Sequence, residues 1–469
     1  FGSRAGRPPP PPPSDSRAPS AATCRPPAMA ASEEIGLHVF QSTASCSSVS
    51  YSTAFSSGGE GGQPSPADTP PEQEVADAQH CTGGTDLDYF HRHASFGYLA
   101  RVGDFTKVRS YADCCRGDGK VELHRWDRGD LGVWTVAVKR VLGTRVYFNR
   151  GKERDERRCH QQRAGPRRDT EDTLTEIGVY CHLFQEEGVP EYILRMHAVF
   201  EEGRHVWMVL ENAGGGEMFV VAKMLQEEGQ DTRLPKIRRW MWQLLRAVGY
   251  LHGRGIGHRD ISMENVLLNG EDLRLMDFGQ AVRSHSDAGE ELRYFASAGK
   301  PHYRAPNMYV PAEDAVEAIP PAGCVGGQTI FARVLSGRSV ALCDVTLPPG
   351  ARPGEPCTAE PAGYHVRPAD VFACGVCLFI LATGMPPWKE AKLDDPHFSW
   401  ICGKGVVQLL HAWGHRQAPE AEDLMVTAMR LDPSRRPTAD TLLEHPWLEP
   451  ARDDLTANDR GAPVAGARG

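Results

Sequence analysis

The 469-residue sequence has no run of about 18 apolar residues, so no membrane span is expected. Its start is rich in Pro, Arg and Ser and lacks an apolar h-region, so no secretory signal is expected. Positive charge is not in excess. The 52 Lys and Arg stand against 61 Asp and Glu, a formal net charge of −9, which argues against nucleic acid as a partner. The 13 cysteines lack the even, close spacing of a disulfide framework and read as reduced thiols of a cytoplasmic or nuclear protein. Cys374 and Cys377 form a CxxC. Their neighbours Phe372, Val376, Leu378 and Phe379 are apolar and no second Cys/His pair lies near, so they read as buried helix positions rather than a zinc or redox site.

Large apolar groups are scarce between residues 30 and 85, where Ser, Gly, Pro and Thr dominate. Such a stretch cannot bury enough surface to offset the entropy of ordering, so 1–85 is expected to be a disordered Pro/Ser/Gly-rich region. Pro8 to Pro13 is a polyproline tract, read either as translated leader or fragment edge ahead of Met29, or as an arm that docks to a partner. Order is expected to begin near Asp86-Leu87-Asp88-Tyr89-Phe90. The remaining length suits two lobes and a tail.

What the chain does have is His258-Arg259-Asp260-Ile261-Ser262-Met263-Glu264-Asn265, then 11 residues, then Asp277-Phe278-Gly279. Phosphoryl transfer needs one carboxylate beside the acceptor hydroxyl and oxygen ligands for a magnesium ion that bridges phosphates. Asp260, Asn265 and Asp277 are the right residue types at a workable spacing. Read as HRDxxxxN followed by DFG, the stretch resembles the protein kinase superfamily. The resemblance runs over roughly 105–449 and is joined by Val136-Ala137-Val138-Lys139, Asp370-Val371-Phe372-Ala373-Cys374-Gly375 and Asp432-Pro433-Ser434-Arg435-Arg436-Pro437. The HRDxSxEN and GKxxYxAP patterns look most like the divergent kinases of alveolate protists.

The resemblance implies an α+β, two-lobed fold: a small β-rich lobe over about 96–211 and a large, mostly α lobe over about 212–449, with ATP and Mg²⁺ between them. It implies Asp260 as the residue that takes the substrate proton, and Asn265 and Asp277 as metal ligands. Lys139 would hold the α- and β-phosphates and Glu176 would pair with Lys139. Val121, Ala137, Leu210 and Leu267 would surround adenine, Glu211 and Ala213 would offer it backbone groups, and Glu217 would reach the ribose. Tyr180 would join an apolar spine with Phe278. Arg259 implies an activation-segment phosphate, with Ser284, Ser286, Tyr294 and Ser297 as candidates. The implied activity is Ser/Thr phosphorylation of protein substrates. The competing reading is a pseudokinase that binds nucleotide or scaffolds.

The sequence departs from the family pattern at three places. The glycine-rich loop has only Gly117 and Gly119. In one register Glu122 stands where a third glycine belongs; in another Gly119 is the last glycine and Val121 the strand valine. Glycines there let backbone N–H groups approach phosphate. Ser262 stands where Ser/Thr kinases carry lysine, and Lys300 stands where GTPxYxAPE carries threonine. A swap across space is expected, with Lys300 supplying the charge missing at 262. Asn307 replaces the glutamate that would pair with Arg436, which predicts a looser large lobe.

Two insertions interrupt the pattern. One, at about 143–172, is charged and reads as a solvated loop; the other, at about 311–366, contains strand-like runs at 328–334 and 339–345 and reads as a small β excursion. A helix is expected over 173–184 with Leu174, Ile177, Cys181 and Phe184 on one face, and another over 234–252. Residues 450–469 read as a flexible tail.

Overall fold

The computed structural model describes residues 85–97, 100–111, 120–148, 172–185 and 188–461. The N-terminal region expected to be disordered, Gly117 and Gly119, and most of the 143–172 insertion lie outside these residues.

The small lobe is a five-stranded antiparallel sheet of β1 (Phe105–Ser110), β2 (Lys120–Asp127), β3 (Val133–Leu142), β4 (Met196–Glu202) and β5 (His205–Glu211), in the order β1-β2-β3-β5-β4. Side chains alternate across each strand. Val136 and Val138 of β3 pack with Phe105, Trp126, Phe200 and Trp207 in a core of their own. Ala137 and Lys139 therefore face the other way. Directly opposed residues share a face, and the pairs Val121↔Lys139, Lys139↔Met208 and Ala137↔Leu210 put all five side chains on that same face.

Helix α1 (Thr173–Leu183) lies beside the sheet, and its N-terminus is capped by Asp172, whose side chain accepts from Leu174 N at 3.3 Å. The spacing predicts one apolar face. The structure buries Leu174 and Ile177 of that face, leaves Cys181 and Phe184 half-buried, and also buries Thr175, Glu176, Val179, Tyr180 and Leu183. The added cover is a 3₁₀ segment, Thr85–His93, laid along the helix. Phe90 is fully buried there, and His91 hydrogen-bonds Asp172 and Thr175. A Cβ on Gly178 would lie 1.9 Å from the Phe90 carbonyl oxygen, so only glycine permits this approach.

The large lobe follows with α2 (Met218–Met224) and α3 (Gln230–Gly253), whose Ile237, Met241, Leu244, Val248 and Leu251 are buried at helical spacing. Two short antiparallel pairs carry the chemistry-bearing loops: β6 (Ile256–Gly257) pairs with β9 (Val282–Arg283), and between them β7 (Val266–Asn269) forms a hairpin with β8 (Asp272–Leu275). Strands β10 (Val316–Ala318), β11 (Thr329–Ser336), β12 (Ser339–Thr346) and β13 (Cys357–Pro361) then close into a small barrel with its own apolar interior, including Val316, Val334, Cys343 and Val345. The small β excursion expected over 311–366 is thus a closed barrel.

Helix α4 (Val366–Thr383) runs through the lobe, with Cys374 and Cys377 buried in it. By length and composition it is apolar enough to span a membrane, so the absence of such a run read from the sequence needs correction. Its window is 89% buried inside the lobe, as a core helix is. Helices α5 (Pro396–Lys404), α6 (Val406–Ala412), α7 (Pro419–Ala428) and α8 (Ala439–Leu443) complete the lobe. The expected flexible tail is corrected over part of its length: Glu449–Gly461 forms α9, with Ala451 and Leu455 buried one turn apart. Residues 462–469 lie outside the described residues.

Candidate active site

The turn between β6 and β7 carries Asp260, and its backbone is held from α4. Asp370 accepts from His258 N at 2.8 Å and from Arg259 N at 2.9 Å. Arg259 sits at φ 64°, in the left-handed region where a side chain is strained, and these bonds hold it there. Asp277 adopts the same region at φ 67°. The Phe278 ring after it meets Tyr180 edge-on at 5.0 Å and His258 at 5.2 Å, tying α1 to the loop.

Three sequence-selected residues, Asn265, Lys300 and Ser262, gather at the buried Asp260. Asn265 donates through Nδ2 to Asp260 Oδ2 at 2.9 Å. Lys300 donates through its backbone N to Asp260 Oδ1 at 3.0 Å, and its Nζ lies 3.3 Å from Oδ2. The same ammonium reaches Ser262 Oγ at 2.9 Å and Asn265 Oδ1 at 3.0 Å. Lys300 therefore touches the serine that stands at the missing lysine position. Burial pushes its ammonium down, but Asp260, Glu264 and Asp277 outweigh this and keep it above the ordinary lysine value. Burial pushes the Asp277 carboxyl up, yet Lys139 and Lys300, with the Gly279 amide and His258, hold it below the usual carboxylate range.

Lys139 Nζ lies 2.6 Å from Glu176 Oε2. The insertion between β3 and α1 leaves this pair 37 positions apart without breaking it. The glycine-loop ambiguity resolves in part: Glu122 is a buried residue of β2 bound to Lys107, His124 and Arg140, so it does not stand in for a loop glycine. Val121, its neighbour, faces the Lys139 side. Leu210 belongs to the main apolar core, and Ala137, Ala213 and Leu267 are half-buried against that core. Glu211 accepts from Arg274 Nε and Asn269 Nδ2, both at 2.8 Å, and so joins the end of β5 to β7 and β8. Glu217 is exposed and bridges to Leu267 through the backbone.

Asn265 and Asp277 offer hard oxygen donors of the kind magnesium takes. Lys300 uses only one of the two lone pairs of Asn265 Oδ1, and Asp277 is held ionised, so the donor set fits such an ion.

A sequence model described as the protein kinase domain matches residues 154–316 and 358–448. The chain belongs to the protein kinase family. The match skips 317–357, which falls within the barrel, so the barrel is an addition to the kinase large lobe. It begins beyond Lys139, so the Lys139–Glu176 pair of this kinase rests on geometry.

Gln280, Tyr364 and Asp344 of the kinase site were not singled out by any motif in the sequence. Gln280 accepts from Gly299 N at 2.7 Å and lies 3.5 Å from Asp260 Oδ2, pinning the two ends of the activation segment together. The position directly after DFG is the one cue to it. Arg259 donates to the Tyr364 hydroxyl at 3.0 Å and to Ala296 O at 3.0 Å, where the motif implies a phosphate. Asn307, fully buried, donates to Asp344 Oδ2 of β12 at 3.1 Å. Burial pushes Asp344 up to about 6 against the pull of Asn307, Arg293 and Arg436. Burial lowers Arg436 to about 9, against Asp344 and Asp432. The guanidinium donates to the carbonyls of Arg430, Leu431 and Pro368 at 2.7–3.0 Å. Asp344 thus supplies a carboxylate beside Asn307 and backbone carbonyls satisfy Arg436, while Asn307 Oδ1 is buried without a hydrogen-bond partner among the described residues.

Proposed function

We propose that this kinase transfers the γ-phosphoryl group of ATP to Ser or Thr hydroxyls of protein substrates. The observation that supports this most directly is the cluster of Asp260, Asn265, Lys300 and Asp277 facing the Lys139–Glu176 pair. Asp260 takes the proton of the acceptor hydroxyl as its oxygen bonds to the γ-phosphorus and the bond to the β-phosphate oxygen breaks, releasing ADP. Lys139, oriented by Glu176, holds the α- and β-phosphates. Lys300 places positive charge beside the transferring group, the role the lysine at 262 would have had. Asn265 and Asp277 would hold magnesium, which would screen phosphate charge. Val121, Ala137, Leu210 and Leu267 enclose adenine, Glu211 and Ala213 give it backbone hydrogen bonds, and Glu217 reaches the ribose. The reading further takes the protein as cytoplasmic or nuclear, with a Pro-rich arm that docks to a partner.

A second reading, a nucleotide-binding scaffold without transfer, is favoured by one observation: the Lys300 ammonium already occupies a lone pair of the candidate metal ligand Asn265. The two readings part in one assay, transfer of labelled γ-phosphate from ATP and Mg²⁺ to a generic Ser/Thr substrate, with phosphoamino-acid analysis and an Asp260→Asn control. Label on Ser or Thr that vanishes in the control supports the kinase reading. No transfer, with ATP and Mg²⁺ still raising the melting midpoint, supports the scaffold.

A further inference from the structure

Arg259 adjoins Asp260 and is buried, so whatever holds its guanidinium also holds the catalytic loop. In this structure the holder is a tyrosine. Arg259 Nε donates to the Tyr364 hydroxyl at 3.0 Å, and Nη2 donates to Ala296 O at 3.0 Å. The Tyr364 hydroxyl in turn donates to Ala296 O at 3.0 Å, closing a ring of three groups. The guanidinium carbon lies 5.0 Å from the Tyr294 ring centroid and 5.9 Å from that of Tyr364, where ring faces attract a cation.

The backbone is stitched at the same place. Tyr294 N donates to Tyr364 O at 2.9 Å and Tyr364 N to Tyr294 O at 2.8 Å. Gly363 takes φ +71°, and a Cβ there would lie 2.9 Å from Tyr294 O, so the chain leaving β13 is built to meet the activation segment closely. The candidate phosphate acceptors are engaged elsewhere. Ser284 Oγ lies 2.9 Å from His285 Nδ1, Tyr294 donates to Arg283 O at 2.6 Å, Ser297 donates to Met308 O at 2.6 Å, and Ser286 accepts from Glu290 N at 3.2 Å.

We propose that Tyr364 is a positioning residue which does internally what an activation-segment phosphate would otherwise do, so that Arg259, Asp260 and residues 294–299 are ordered without phosphorylation. The proposal rests on the kinase reading for its catalytic consequence and on the Tyr364–Arg259–Ala296 ring for its structural one. A phosphate would bring added negative charge to a buried arginine; here the arginine meets a hydroxyl, a carbonyl and the Tyr294 ring among its partners.

The test uses the full chain stripped by a broad-specificity phosphatase, with loss of phosphate checked by intact mass, beside Tyr364→Phe, Arg259→Gln and the double variant. Tyr364→Phe keeps the ring and removes only the hydroxyl, and melting confirms that it folds. The stripped wild type is expected to keep its kcat. Tyr364→Phe is expected to lower kcat about ten-fold, the size of one lost hydrogen bond to a charged group, with KM for ATP unchanged. In the Arg259→Gln background it is expected to change kcat no further, because the hydroxyl acts through that arginine. Silence of the stripped wild type beside an active unstripped chain, an unchanged kcat in Tyr364→Phe when the wild type is active, or additive losses in the double variant would each overturn the proposal. Amide exchange over 294–299 separates this failure from that of the kinase reading. If no form transfers phosphate, faster exchange in Tyr364→Phe still upholds the ordering role, and unchanged exchange ends it.

Discussion

Lys300 shows how far a single position can be read. A serine two residues after Asp260 and a lysine in place of the segment threonine are each visible as departures from a motif, and together they suggest a swap. The structure brings Lys300 Nζ within 2.9 Å of Ser262 Oγ and 3.3 Å of Asp260 Oδ2. If that ammonium stabilises the charge of the transferring phosphoryl group, Lys300→Ala should lower kcat about a hundred-fold, the scale of one lost electrostatic contact at a reacting centre. Adding Ser262→Lys to that variant should recover most of the loss. Steady-state transfer kinetics check both, and turnover of Lys300→Ala near wild type while Asp260→Asn is dead would remove Lys300 from the reaction. Asp260, Asn265, Asp277, Lys139 and Glu176 were legible because each belongs to a short motif whose spacing reflects its chemistry. Gln280, Tyr364 and Asp344 were not, because they meet their partners across 19 to 105 positions and through one hydrogen bond or two, which leaves no pattern along the chain.

Helix α1 presents the same contrast at the scale of an element. Its start, its Glu176 and the spacing of Leu174 and Ile177 were readable as a helix with one buried face. The burial of its other side was not, because that cover comes from Thr85–His93, a short segment at the edge of a polar, proline-rich region. Gly178 records the docking. Replacing a glycine inside a helix by alanine ordinarily stabilises a protein by about 0.4–1 kcal/mol. At Gly178 the added Cβ would lie 1.9 Å from Phe90 O and 2.6 Å from its carbonyl carbon, both backbone atoms that cannot swing aside. Gly178→Ala should therefore invert the usual sign and lower the melting midpoint. It should also weaken ATP binding, since α1 carries the partner of Lys139. Thermal melts with and without ATP and Mg²⁺ measure both effects, and a raised midpoint would mean that the 85–93 segment does not sit on α1.

At the scale of the whole molecule, the two-lobed plan was legible from motif order, and the strands at 328–334 and 339–345 from their alternation. The closed barrel was not, since closure depends on β10 and β13 pairing across the hairpin between them, a long-range register that local patterning does not encode. The barrel matters to the kinase core through Asp344, which it places against Asn307 at the end of the activation segment. The unfolded carboxyl titrates near 3.8 and the folded one near 6, so the folded chain holds an extra proton between those values. Raising the pH through that window removes stability, and above it the buried charge costs up to about 3 kcal/mol. Asp344→Asn escapes that cost and keeps an oxygen for Asn307 Nδ2. Its melting midpoint should exceed wild type most at pH 7.5 and converge with it toward pH 4. Asn307→Glu, which would restore the family residue, should instead lower the midpoint at pH 7.5, because it sets a second carboxylate against Asp344. Combining it with Asp344→Asn should recover the loss, leaving one carboxylate facing the Arg436 region from the other side of the contact. If Asn307→Glu alone raises the midpoint, Arg436 outweighs Asp344 at this site, and the barrel carboxylate is no substitute for the residue the activation segment has lost.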